Sequence, residues 1–80
     1  MENKVAIISI IVKDTTLAEE VNSHLHNYRE YVIGRMGLPY REKDMNIICV
    51  ALDAPSDVLN ALAGKLGAID GVKSEVIYGE

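Results

Sequence analysis

Two short runs of branched apolar residues constrain this chain more than anything else in it. Val5-Ala6-Ile7-Ile8-Ser9-Ile10-Ile11-Val12 is apolar on both of its alternating faces, Val5/Ile7/Ser9/Ile11 and Ala6/Ile8/Ile10/Val12. Asn46-Ile47-Ile48-Cys49-Val50-Ala51-Leu52 has the same character. Runs this short, rich in β-branched residues, read as strands, and a strand apolar on both sides belongs in the middle of a sheet with cover above and below it. Every other segment must therefore be read for what it can place beside or over these two.

Asp14-Thr15-Thr16 follows the first run and offers helix N-caps, with Thr16 and Glu19 at capping-box spacing. Leu17, Val21 and Leu25 then form a stripe at helical spacing, and Glu19, Glu20, Asn22 and Ser23 face water. This helix ends near Asn27. Tyr28 to Met36 alternates less cleanly around Gly34 and predicts an edge strand with a bulge. Gly37 and Pro39 predict a turn, kept wet by Arg41, Glu42, Lys43 and Asp44, before the second apolar run begins at Met45. Pro55 suits the first position of a second helix, with Val58, Leu59, Leu62, Leu66 and Ile69 as its buried stripe and Gly67 or Gly71 closing it. Val72 to Tyr78 alternates Val72/Val76/Tyr78 against Lys73/Glu75, a half-exposed last strand.

The order is β-α-β-β-α-β with no repeat or linker. It predicts an α+β, ferredoxin-like βαββαβ sandwich: a four-stranded antiparallel sheet with two helices on one face, forming one domain over residues 1–80. That topology puts the first and third strands in the middle, where the doubly apolar runs need to be. Two helices cover one face only. The other would leave an apolar patch on a monomer, so the chain is expected to form a homo-oligomer, dimer or tetramer, through its sheet. A small domain also buries only roughly 60–65% of its unfolded surface. Its single cysteine, Cys49, cannot form an intrachain disulfide. A partner copy is the remaining way to add stability.

Eight basic residues against twelve acidic give a net charge of −4, with no basic block. Direct nucleic-acid binding, which needs clustered Lys and Arg, is not expected, nor is attraction to an anionic membrane. The apolar run after Met1-Glu2-Asn3-Lys4 is too short to span a bilayer and lacks a small-residue cleavage site, so a cytoplasmic location is expected.

Chemistry-bearing patterns are sparse. His24 and His26 are two apart, so on a helix they point about 200° apart and cannot share a metal. They read as polar residues near a helix end, and no metal or cofactor is expected. Cys49 in mid-strand reads as a small buried hydrophobe. Catalysis is not expected, since no nucleophile–base spacing, zinc-protease motif or phosphate-cradling glycine loop is present. Arg29, Arg35, Arg41 and Lys43 gather half the basic residues around the middle hairpin. They read either as a grip on a small anion or as edge-strand charges paired with Glu30, Glu42 and Asp44. Tyr40 reads as a stacking group or as a plug at a subunit seam. For a ligand, the residues to examine are Arg35, Gly37, Pro39, Tyr40 and Arg41.

Three segments carry a resemblance: Arg35-Met36-Gly37-Leu38-Pro39-Tyr40-Arg41, then Leu59 to Gly67, then Gly71-Val72-Lys73. With them, essentially the whole chain resembles the iron-only hydrogenase system regulator family, an ACT-like, ferredoxin-like group. The resemblance implies a cytoplasmic, oligomeric, non-catalytic regulator-like domain in anaerobic hydrogen metabolism, with no catalytic residues to carry over. The leading reading is a regulatory or sensor domain that assembles through its sheet and binds a small effector or a partner protein. An assembly module without a ligand is the alternative. Lys13-Asp14-Thr15-Thr16 lacks the glycine often found there in amino-acid-binding ACT domains, and lacks the phosphate loop of acylphosphatases, which share the topology.

Overall fold

A computed structural model describes residues 2–79; Met1 and Glu80, which the single domain expected over 1–80 includes, lie outside the described residues. The elements are β1 (Asn3–Val12), α1 (Ala18–Asn27), β2 (Val32–Tyr40), β3 (Met45–Pro55), α2 (Ser56–Gly67) and β4 (Val72–Tyr78). They form one antiparallel sheet in the order β2-β3-β1-β4, with β1 and β3 in the middle. This is the α+β, ferredoxin-like arrangement expected from the order of elements.

The core lies between the sheet and the helices. One face of the central strands supplies Ala6, Ile8, Ile10 and Val12 from β1 and Ile48, Val50, Leu52 and Ala54 from β3. Against these pack Val21 and Leu25 of α1 and Leu59, Leu62 and Leu66 of α2, all in one cluster. Side chains of this size each contribute roughly 1.5–3 kcal/mol when fully buried. Among the described residues no polar side chain is buried, so the core carries no desolvated polar group to offset.

Several local expectations shift. The second strand begins and ends later than the alternation suggested. Arg29–Tyr31 form a 3-10 turn, and Gly37 and Pro39 lie inside β2 instead of marking a turn. Proline is tolerated there because β2 is an edge strand, whose outer side has no ladder to donate to. The bulge near Gly34 is present: Val32 sits opposite Leu52 and Gly34 opposite Ala51, so Ile33 is the extra residue. The chain reverses instead at Arg41–Lys43, a 3-10 turn closed by Asp44 at φ 49°. Aspartate tolerates this left-handed conformation, and its Oδ1 accepts a 3.0 Å bond from the Thr15 hydroxyl.

The helix caps differ as well. Instead of a capping box from Thr16 to Glu19, Asp14 caps a 3-10 turn, Thr15–Leu17, that precedes α1. Its Oδ1 accepts from the Thr16 backbone N–H at 3.0 Å and from the Thr16 hydroxyl at 2.8 Å. These bonds hold the Asp14 carboxyl below its ordinary value of 3.8. Pro55 is the N-cap of α2, one residue before the first helical position. Gly67 is the last residue of α2, and Gly71, at φ 89°, makes the turn into β4. A Cβ on Gly71 would lie 2.8 Å from Leu17 Cδ1.

Two tests follow from this. Gly71→Ala combines a left-handed backbone with a crowded methyl, and should lower the unfolding free energy by about 1–2 kcal/mol in urea titration. The Asp14 contribution has the sign of a depressed carboxylate. It is complete above the ordinary carboxylate value and is lost as pH falls through the lower folded value. Asp14→Ala should therefore be less stable than the parent at neutral pH, and the gap should close in strong acid when melting is followed by circular dichroism.

Candidate functional site

Two surfaces on opposite sides of the sheet stand out. The first is the face that the helices leave open. Register places Val5, Ile7, Ser9 and Ile11 of β1 beside Asp53, Ala51, Cys49 and Ile47 of β3. Gly34, Met36, Leu38 and Tyr40 of β2 extend it on one side, and Ile77, Glu75 and Lys73 of β4 on the other. Met36 is 58% exposed, Leu38 54% and Ile77 60%, a large share for side chains of this kind gathered on one surface. Charge is confined to the margins, at Asp53 and along β4. Cys49 belongs to this face and is half-buried, where the sequence suggested a buried thiol.

The second surface is an open groove of about 610 Å³ between α1 and the edge strand β2. One wall is a polar stripe of α1, Glu19, Asn22, Ser23 and His26, at the i, i+3, i+4, i+7 spacing of a single helix flank. Arg29 and Arg35 form the other, and Leu25 and Val32 lie at the floor. Arg35 Nη2 donates to Asn22 Oδ1 at 2.8 Å, and Arg29 Nη1 donates to the His26 carbonyl at 2.9 Å.

The residues singled out from the sequence are distributed over both surfaces. Arg35, Gly37 and Pro39 sit on the helix side of β2, Tyr40 on the open face, and Arg41 in the 3-10 turn that follows. Arg35 joins Arg29 in the groove; Gly37, Pro39, Tyr40 and Arg41 do not line it. His26 enters the groove while His24, half-buried, does not. Asn22, Ser23 and Glu19 escaped sequence reasoning as site residues because a polar flank on an amphipathic helix ordinarily faces water. Their four-position spacing was the available signal. Among the described residues no group of three or more His, Cys, Asp or Glu side chains could hold a metal ion, and no helix is long and apolar enough to cross a membrane.

Comparison with known proteins points to one family. The family model described as "TM1266-like: Iron-only hydrogenase system regulator, putative" matches residues 4–76. The solved structure of uncharacterized protein TM1266 from Thermotoga maritima is 38% identical, with a TM-score of 0.94, and the match covers 99% of this chain and 100% of that one. A formyltetrahydrofolate deformylase from Pseudomonas putida KT2440 is similar in fold alone, at 20% identity and a TM-score of 0.66; the match covers 91% of this chain and 28% of that one. No curated protein matches.

The placement of Gly37 generates a test. It serves no turn, and a Cβ added there meets nothing within 4 Å. Gly37→Ala should raise stability by about 0.4–1 kcal/mol, through a less flexible unfolded chain, when measured by urea unfolding.

Proposed function

The chain belongs to the TM1266-like family, and from that premise we propose a non-catalytic regulatory domain of an iron-only hydrogenase system, assembled from identical copies through the open face of its sheet. The family description supports the regulatory half of this reading. The assembly half rests on one observation, the apolar open face, for which a second copy is the occupant favoured on three counts.

Size is the first. Four strands about 4.8 Å apart and some seven residues long give a projected area on the order of 500 Å². The accessible area of such a rugged face is larger, which is the scale of one partner's half of a standard interface, about 800 Å². The sheet edges are the second. β2 carries Pro39 and the bulge at Ile33, and both devices discourage strand addition, so association by the face is favoured over association by that edge. Charge is the third. Lys73 lies level with Ile11 and Glu75 level with Ser9. A twofold axis crossing the strands between those rows, near the middle of the face, sets each Lys73 opposite the Glu75 of the other copy. A self-complementary margin of this kind is what an isologous dimer requires.

An assembly module without a ligand would use the same surface and differs only in what the groove does. Direct nucleic-acid binding remains disfavoured by the net charge of −4.

Light scattering during size exclusion tests the assembly. The parent chain should run as a dimer or larger at micromolar concentration, against a monomer mass of 8.8 kDa. Ile7→Lys, at a position already 40% exposed, should run as a folded monomer. Lys73→Glu should weaken association, and adding Glu75→Lys to it should restore association. A monomeric parent chain would overturn the reading.

A further inference from the structure

We propose that the groove between α1 and β2 binds a small organic oxyanion, a carboxylate or phosphate ester with a short apolar body, held by Arg29 and Arg35. The inference deepens the regulatory reading and rests on it only for the ligand's role as effector; the groove lies on the helix side of the sheet, away from the assembly face.

Charge comes first. Two guanidiniums converge on one concave surface, and the bonds that orient them end on neutral acceptors, Asn22 Oδ1 and the His26 carbonyl. Their charge is therefore not cancelled by the contacts that hold them. Each guanidinium has five N–H donors, and each of these bonds uses one, so both forks keep donors for a planar or tetrahedral oxyanion. Pre-anchoring also lowers the entropy lost when a ligand is gripped. The Arg35 bond, which crosses from the edge strand to Asn22 of α1, separates the groove from a set of edge charges placed only to repel stray strands. The Arg29 bond also caps the last turn of α1.

Shape and floor set the rest of the ligand. The groove is open, and its volume of about 610 Å³ admits a small molecule along one side without enclosing it. Leu25 is buried and Val32 half-buried at its base, a surface suited to a few methylenes and unsuited to a second charge. Glu19 on the helix wall offsets part of the arginine charge and disfavours any ligand carrying more than one anionic group. The groove thus selects one oxyanion at one end of a compact molecule.

The test is a titration of the ¹⁵N-labelled chain, as the parent and as the Ile7→Lys variant, with inorganic phosphate and separately with butyrate, at ionic strength held constant by chloride. Saturable amide shifts are expected at Asn22, Ser23, His26, Arg29 and Arg35, with either probe, and the stronger probe assigns the oxyanion as phosphoryl or carboxylate. Arg29→Gln and Arg35→Gln should each weaken binding at least tenfold, and Arg41→Gln, outside the groove, should leave it unchanged. Arg29 is exposed on a short turn, so its variant remains informative if loss of the Arg35 tether disturbs β2. Shifts that fail to saturate by about 50 mM with both probes, or that persist unchanged in both groove variants, would overturn the proposal. Because the groove is read in the Ile7→Lys variant as well, its failure is distinguishable from failure of the assembly.

Discussion

A sheet has two faces, and this chain has helices enough for one. That imbalance governs the rest of the structure. β1 and β3 are apolar on both sides, so the side away from α1 and α2 presents Ile7, Ile11, Ile47 and their neighbours without cover. The residues on the covered side are buried almost completely, Ile8, Val50 and Leu52 among them. The same strands therefore hold the domain together with alternate residues and leave the others available. Hydrophobic burial is proportional to area and indifferent to direction, so nothing in the core alone removes the outward set from water.

The two surfaces fall on opposite sides of this sheet, and their chemistry differs accordingly. The open face is apolar with charge at its margins, which suits a broad and flat partner. The groove is concave and cationic over a small apolar floor, which suits a small anion. The proposed association and the proposed ligand recognition thus rest on separate residues. A substitution can address one without touching the other, as the placement of Ile7 and Arg29 makes plain.

The central strands, α2 and β4 could be read from the sequence because each obeys one period throughout. β1 and β3 carry unbroken apolar runs, and Leu59, Leu62 and Leu66 fall on a single helical stripe. β2 was harder. Gly37 and Pro39 each signal a turn when taken locally, yet an edge strand with one partner accepts both, as it accepts the bulge beside Gly34. The reversal fell on Arg41–Asp44, whose signal was only polarity and an aspartate able to adopt φ 49°. The cap likewise moved, because Asp14 reaches the Thr16 N–H two residues on and forms a 3-10 turn before α1 can start. The groove was the least readable feature. Arg35 and Asn22 are thirteen residues apart, and no local pattern says that an edge strand will lie along the polar flank of α1.

One strand takes part in both surfaces. Along β2 the side chains alternate, so Arg35 stands in the groove and Met36, one peptide bond later, on the open face. The peptide between them is planar and stiff, and β2 is pinned to the sheet on one edge only. A small roll of this outer ribbon about its own axis therefore turns the guanidinium and the thioether together. The two faces of the sheet thus meet, in this outer ribbon, at a single amide plane.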